Sequence, residues 1–149
     1  MKRILEQPKF LNVDRRLLGT WKSDRLRTLK EWNWIKRLSL QKKKRFQALF
    51  GKLEITYTRT RVVFLLRHRK WEQSRRYELV AADENSVAIV SFGKMRIKNR
   101  RNYDPANLKF LDESLWSKPR IQHIHFEKNH YWISLGNGRN REFFRKIRP

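Results

Sequence analysis

His123 and His125 come closest, of all the residues in this chain, to the spacing that metal chemistry requires. On an extended segment an i, i+2 pair turns both imidazoles to one side, where His130 or His68 could add a third ligand. A zinc site needs three or four convergent ligands, and the chain holds four His and no Cys, so no metal and no cofactor is assigned. Nucleophilic and acid–base chemistry find less support. The 14 Asp and Glu are scattered, and the adjacent pairs Asp83 with Glu84 and Asp112 with Glu113 read as turn residues. Neither a Gly-Lys-Ser/Thr phosphate loop nor a Gly-x-Ser-x-Gly elbow occurs. No catalytic residue is assigned, and binding is the expected activity.

The cations are more informative. The 149 residues carry 37 Lys and Arg and a formal net charge of +23, which attracts polyanions whatever the fold. Lys42, Lys43, Lys44 and Arg45 form one run, and Arg67, Arg69, Lys70, Arg75 and Arg76 surround a hairpin turn. Lys94, Arg96, Lys98 and Arg100 alternate with Met95, Ile97 and Asn99, so on a strand they would make one wholly basic face suited to phosphates. Trp32, Trp34 and Trp71 interleave with basic residues and could stack on bases. Packing at the rims of the fold is the competing role for these indoles. No RNP aromatic strand or paired zinc ligands accompany the charge.

Positioning these groups falls to a folded domain, because 39% hydrophobic and 13% aromatic residues are too many for a disordered basic tail. The length fits one domain with a genuine core. Absence of Cys suits a reducing compartment, so the expected location is cytoplasmic. The N-terminus has a positive start but no apolar stretch, with Glu6 and Pro8 interrupting it, so export is not expected. No apolar run approaches a bilayer's thickness; the longest, Val62 to Leu66, suits a buried strand, and no transmembrane segment is expected.

Period-two alternation dominates from about residue 53. Leu53, Ile55 and Tyr57 share one face and Glu54, Thr56 and Thr58 the other. Residues 77–81 and 87–90 repeat the pattern around the turn Asp83-Glu84-Asn85, and residues 123–126, 131–135 and 142–147 continue it as a meander. Between a first strand at Leu18 to Lys22 and the strand at Leu53 the pattern is helical. Ser23 or Asp24 caps one helix, Ser39 a second, and Gly51 ends it. In residues 99–120, Leu108, Phe110, Leu111 and Trp116 are the expected anchors of an otherwise loop-like stretch. The fold class that follows is mainly β: an antiparallel up-and-down barrel of about eight strands, with a helical pair between the first and second.

At the start of the first strand stands Leu18-Gly19-Thr20-Trp21, which resembles the Gly-x-Trp element of lipocalins and the wider calycin superfamily. In that superfamily the Trp seals the closed end of the barrel and a basic residue of the last strand lies across it. The resemblance implies these roles for Gly19, Trp21 and Arg145, with Arg141 as the second choice. Glycine permits close backbone approach at a crowded corner, and a guanidinium stacks well on an indole. The helical pair also resembles that of fatty-acid-binding proteins, where it forms a lid. Those proteins hold a carboxylate with Arg-x-Tyr in the last strand, whereas this chain reads Arg141-Glu142-Phe143, and Phe lacks the hydroxyl.

The resemblance implies a single lipocalin-like domain over residues 1–149, a non-enzymatic binder of a small apolar or anionic ligand held in the barrel. Tyr57, Phe64, Tyr77, Ile89, Ile133 and Phe143 are its expected lining. Barrels of eight strands either fill with side chains or hold one small ligand, and both outcomes stand at this point. The alternative partner is nucleic acid or another polyanion, bound outside by Lys42, Lys43, Lys44, Arg45, Lys94, Arg96, Lys98 and Arg100.

Overall fold

Alternation is realised as sheet throughout. A computed structural model describes residues 13–106, 118–135 and 140–149, without the side chains of Asn33, Trp34, Phe46 and Asn102. Leu108, Phe110, Leu111 and Trp116 lie outside the described residues. Eight strands follow one another: β1 (Gly19–Ser23), β2 (Glu54–Tyr57), β3 (Arg61–Leu66), β4 (Trp71–Ala82), β5 (Ser86–Lys98), β6 (Arg120–Glu127), β7 (His130–Leu135) and β8 (Asn140–Arg148). Each pairs antiparallel with its sequence neighbour, and β8 pairs with β1 to close the barrel. Closure removes the open edges at which strands of other chains could pair.

Between β1 and β2 run α1 (Arg25–Lys30), a 3-10 turn (Asn33–Arg37) and α2 (Leu40–Gln47). Asp24 caps α1, its carboxylate accepting from the Arg27 N–H at 3.1 Å. Ser39 Oγ accepts from Lys42 N–H at the start of α2. Gly51, with φ of +90°, carries the chain back toward the barrel and donates its N–H to Ser23 Oγ. α1 is tied across the outside of β8: the Phe143 N–H donates to Thr28 Oγ1 at 2.9 Å, and Asp24 N–H to the Phe143 carbonyl. Trp32 Nε1 donates to the Arg141 carbonyl while its ring meets Phe50 edge-on, making a small apolar cluster with Ile35 under the helices.

Inside the barrel, Leu17, Trp21, Ile55, Tyr57, Val62, Tyr77, Val87, Ile89, Ile124, Tyr131 and Phe144 form one core. Trp21, Tyr131 and Phe144 pack in succession, with centroids 4.7 and 4.8 Å apart, the first pair tilted by 55° and the second stacked. Burying each large apolar side chain is worth roughly 1.5–3 kcal/mol, so this aromatic column is a principal source of stability. The tyrosine hydroxyls inside it are partnered. Tyr57 and Tyr131 share a hydrogen bond, and Tyr77 donates to the Thr58 carbonyl. Burial pushes the phenol of Tyr131 well above its ordinary value and that of Tyr77 to about 12.

Candidate anion-binding sites

The cations of β5 share one face through the period-two alternation of the strand, which an irregularity of two extra residues leaves unchanged. Between the pairs Ser74 with Arg96 and Arg76 with Phe92, two steps along β4 oppose four along β5, and Gly93 takes up the irregularity at φ of +79°. Beyond it Lys94, Arg96 and Lys98 point outward, successive ones about 6.8 Å apart along the strand. They join Arg61 of β3 and Arg76 of β4, which sit opposite each other in register. With Thr56, Val63, Ser74 and Arg100 these residues line an outward concavity of about 890 Å³. Glu72 is the one carboxylate among its lining residues, and it pairs with Lys98 at 2.8 Å.

Two other cations of this face contact neutral groups. Arg61 donates from Nε and Nη2 to Ser74 Oγ, at 3.3 and 3.2 Å, and Arg76 stacks on Phe92. Partial burial, then the nearby charges of Arg96 and Arg76, hold Arg61 below its ordinary pKa. A guanidinium crowded by like charges marks a place where a phosphate would relieve repulsion. Lys42, Lys43, Lys44 and Arg45, expected to belong to the same function, instead stand on α2 and line no part of this concavity.

Of the expected stacking residues, Trp32 is buried against Phe50, so its face is not available to bases. Trp71 is half-buried beside Tyr103, with ring centroids 5.6 Å apart, at the end of β4 nearest the Lys98 pair. Trp34 lies outside the described side chains.

Six residues were expected to line a hollow interior, and the structure divides them. Phe64 and Ile133 line a cavity of about 160 Å³. Tyr57, Tyr77 and Ile89 instead pack into the core and fill the barrel. Phe143 corrects the expectation outright: it is fully buried, but outside the barrel wall, between Arg27 at 3.9 Å and Arg141 at 5.2 Å. Phe144 takes the inward place beside it.

The small cavity contains a residue read from the sequence as part of an outer basic cluster. Arg75 points into the barrel and is 1% exposed. Its Nε donates to the Gly93 carbonyl at 2.9 Å and its Nη2 to the Lys118 carbonyl at 2.6 Å. Its Nη1 is buried with no hydrogen-bond partner among the described residues. Glu142 lines the same cavity without pairing to it, since its Oε2 accepts from Ser23 Oγ, and burial raises its pKa. Parity along β4 could have located Arg75, because Tyr77 two residues on is a core residue.

The closing element needs one correction. The cation over the Trp21 ring is Lys146, with Nζ 5.3 Å from the centroid, and Arg145 lies on the opposite face, exposed and paired in register with Lys22. Gly19 has φ of +117° and stands so close to Arg148 that a Cβ would lie 2.5 Å from its carbonyl oxygen.

His123 and His125 do share a face, with rings 5.4 Å apart, but His125 stacks on Trp132 at 3.9 Å. His130 Nε2 is bound to Asp24 Oδ2 at 2.9 Å. Among the described residues no group of three or more His, Asp or Glu is arranged to hold a metal ion. No helix among them is long and apolar enough to cross a membrane. The architecture, an eight-stranded antiparallel barrel, is compatible with a lipocalin-like fold. Comparison with family models, curated proteins and solved structures finds no match to this chain.

Proposed function

We propose that this protein acts by binding a nucleic acid through its phosphate backbone, along the outer face of β3, β4 and β5. The observation that carries this reading is the concavity in which Arg61, Arg76, Lys94, Arg96 and Lys98 converge with one carboxylate among them. A cationic surface of this kind binds phosphates with little regard to sequence, and its affinity is set by counterion release. Trp71, half-buried at one end, favours single strands over duplexes, since an unpaired base can stack on it. Kinship with the calycin barrels belongs to the same reading, supported by Gly19, Trp21 and the cation over the indole.

The test is fluorescence anisotropy with a labelled single-stranded oligonucleotide across a salt series. Replacing Lys94, Arg96 and Lys98 together by Ala should lower the slope of log K against log salt by about 2, at roughly 0.7 per lost phosphate contact. Replacing Lys42, Lys43, Lys44 and Arg45 by Ala should change the slope less. Binding that ignores salt, or that loses more with the α2 set than with the β5 set, would overturn the assignment.

A further inference from the structure

We propose a second site, inside the barrel, in which Arg75 binds the carboxylate of a small organic acid. This goes beyond the outer-face reading and is separated from it by the sheet itself: the residues of the basic row and Arg75 lie on opposite sides of the wall.

Burial of a guanidinium is expensive unless its charge and its N–H groups are satisfied. Arg75 meets half of that requirement. Two of its nitrogens reach backbone carbonyls, but the third faces no acceptor, and no carboxylate among the described residues pairs with the charge. Gln73, two residues earlier on the same face of β4, also has its Nε2 buried and unpartnered. A structural arginine would be expected to sit against an acid, and Glu142 shares the cavity, yet it is bonded to Ser23. Desolvation, then the charge of Arg120 in the same lining, hold Arg75 below its ordinary pKa, so an incoming anion would meet two cations.

Size and lining restrict the ligand further. The cavity, at about 160 Å³, is close to the ~150 Å³ that accommodates a benzene ring in an engineered protein core. Leu53, Ile55, Phe64, Ile133 and Phe144 supply apolar walls opposite the guanidinium. The ligand class is therefore a monocarboxylate with a compact apolar body, of the size of benzoate, and a long-chain fatty acid would not fit. The anchoring residue is on β4, not at the last-strand Arg-x-Tyr position, which here reads Arg141-Glu142-Phe143.

Isothermal titration calorimetry of the full chain with benzoate, benzyl alcohol and inorganic phosphate tests the proposal. Benzoate should bind with Kd no weaker than about 1 mM, and the neutral alcohol and phosphate about tenfold or more weakly. Arg75→Gln should weaken benzoate by about ten- to a hundredfold while leaving oligonucleotide binding unchanged, with an unaltered circular dichroism spectrum and a cooperative thermal melt reporting that the variant is folded. Should Arg75→Gln fail to fold, Ile133→Phe fills the cavity while retaining Arg75, and should abolish the benzoate signal and the accompanying shift of the Met95 methyl resonance. Equal binding of the alcohol, benzoate binding that survives Ile133→Phe, displacement of benzoate by oligonucleotide, or no benzoate binding to the unmodified chain would each overturn it.

Discussion

Lys146 stands directly across from Trp21 in the seam between β1 and β8, with its ammonium 5.3 Å from the centre of the indole ring. The contact joins the first and last strands at the end of the barrel where Leu17 accepts the indole N–H. An exposed cation over Trp contributes about 0.5–1 kcal/mol. Lys146→Ala should lower unfolding stability by that amount, and Lys146→Arg should retain it. Urea unfolding followed by Trp fluorescence measures both, and an alanine variant as stable as the parent would remove the cation from the closing element.

Gly19 and Gly93 both have positive φ but should answer to alanine very differently. At Gly19 the new Cβ would overlap the Arg148 carbonyl oxygen at 2.5 Å, and at Gly93 it would meet nothing within 4 Å. Gly93→Ala should therefore cost only the backbone strain, about 1–2 kcal/mol. Gly19→Ala should cost more than about 3 kcal/mol, because strain adds to an overlap with backbone that cannot turn aside. Paired thermal melts decide it; equal losses would mean the seam yields.

Asp24 caps α1 and pairs with His130, so Asp24→Ala should cost about 1–2 kcal/mol near neutrality. Burial pushes its carboxyl pKa up, but the Arg27 N–H and His130 outweigh it and leave it lowered. A lowered carboxyl stabilises the fold above the ordinary Asp value, about 3.9, and loses that contribution as pH falls through the native value. The gap between parent and variant should accordingly narrow in acid. Urea midpoints on both sides of that range would show it.

Glu142 has the opposite sign. Burial raises its pKa, so the native state holds its proton more tightly than the unfolded chain. Stability is greatest below the unfolded value, about 4.3, and falls as pH rises through the native one. Glu142→Gln, which can still accept from Ser23, should flatten that decline and be at least as stable as the parent at neutral pH. A decline of unchanged steepness would place the responsible group elsewhere.

Strand order, the Asp83 to Asn85 turn and the caps at Asp24 and Ser39 were legible because each is a local signal. What failed were choices between adjacent residues of like character. Phe143 and Phe144 are both apolar and both fully buried, one under α1 and one in the core, so hydropathy could not say which faced inward. Arg145 and Lys146 posed the same problem with charge, and the bulge between Thr20 and Trp21 moved the register on which the choice depended. Arg75 was misread for a different reason. A charged residue is placed outside by default, and here the core parity of Tyr77 was the better guide.

The seam between β1 and β8 also bears on how the chain folds. Ser23 and Glu142, which hydrogen-bond across it, are 119 positions apart, whereas the pairs β3 with β4 and β6 with β7 meet across short turns. Joining residues so distant has to overcome a large loss of chain entropy before any contact offsets it, and chains dominated by such contacts fold slowly. The local hairpins should form early and the ring close last. Until it does, β1 and β8 are unpaired edges on a chain that carries its positive charge from the outset, and mutual repulsion between copies opposes the pairing of those edges.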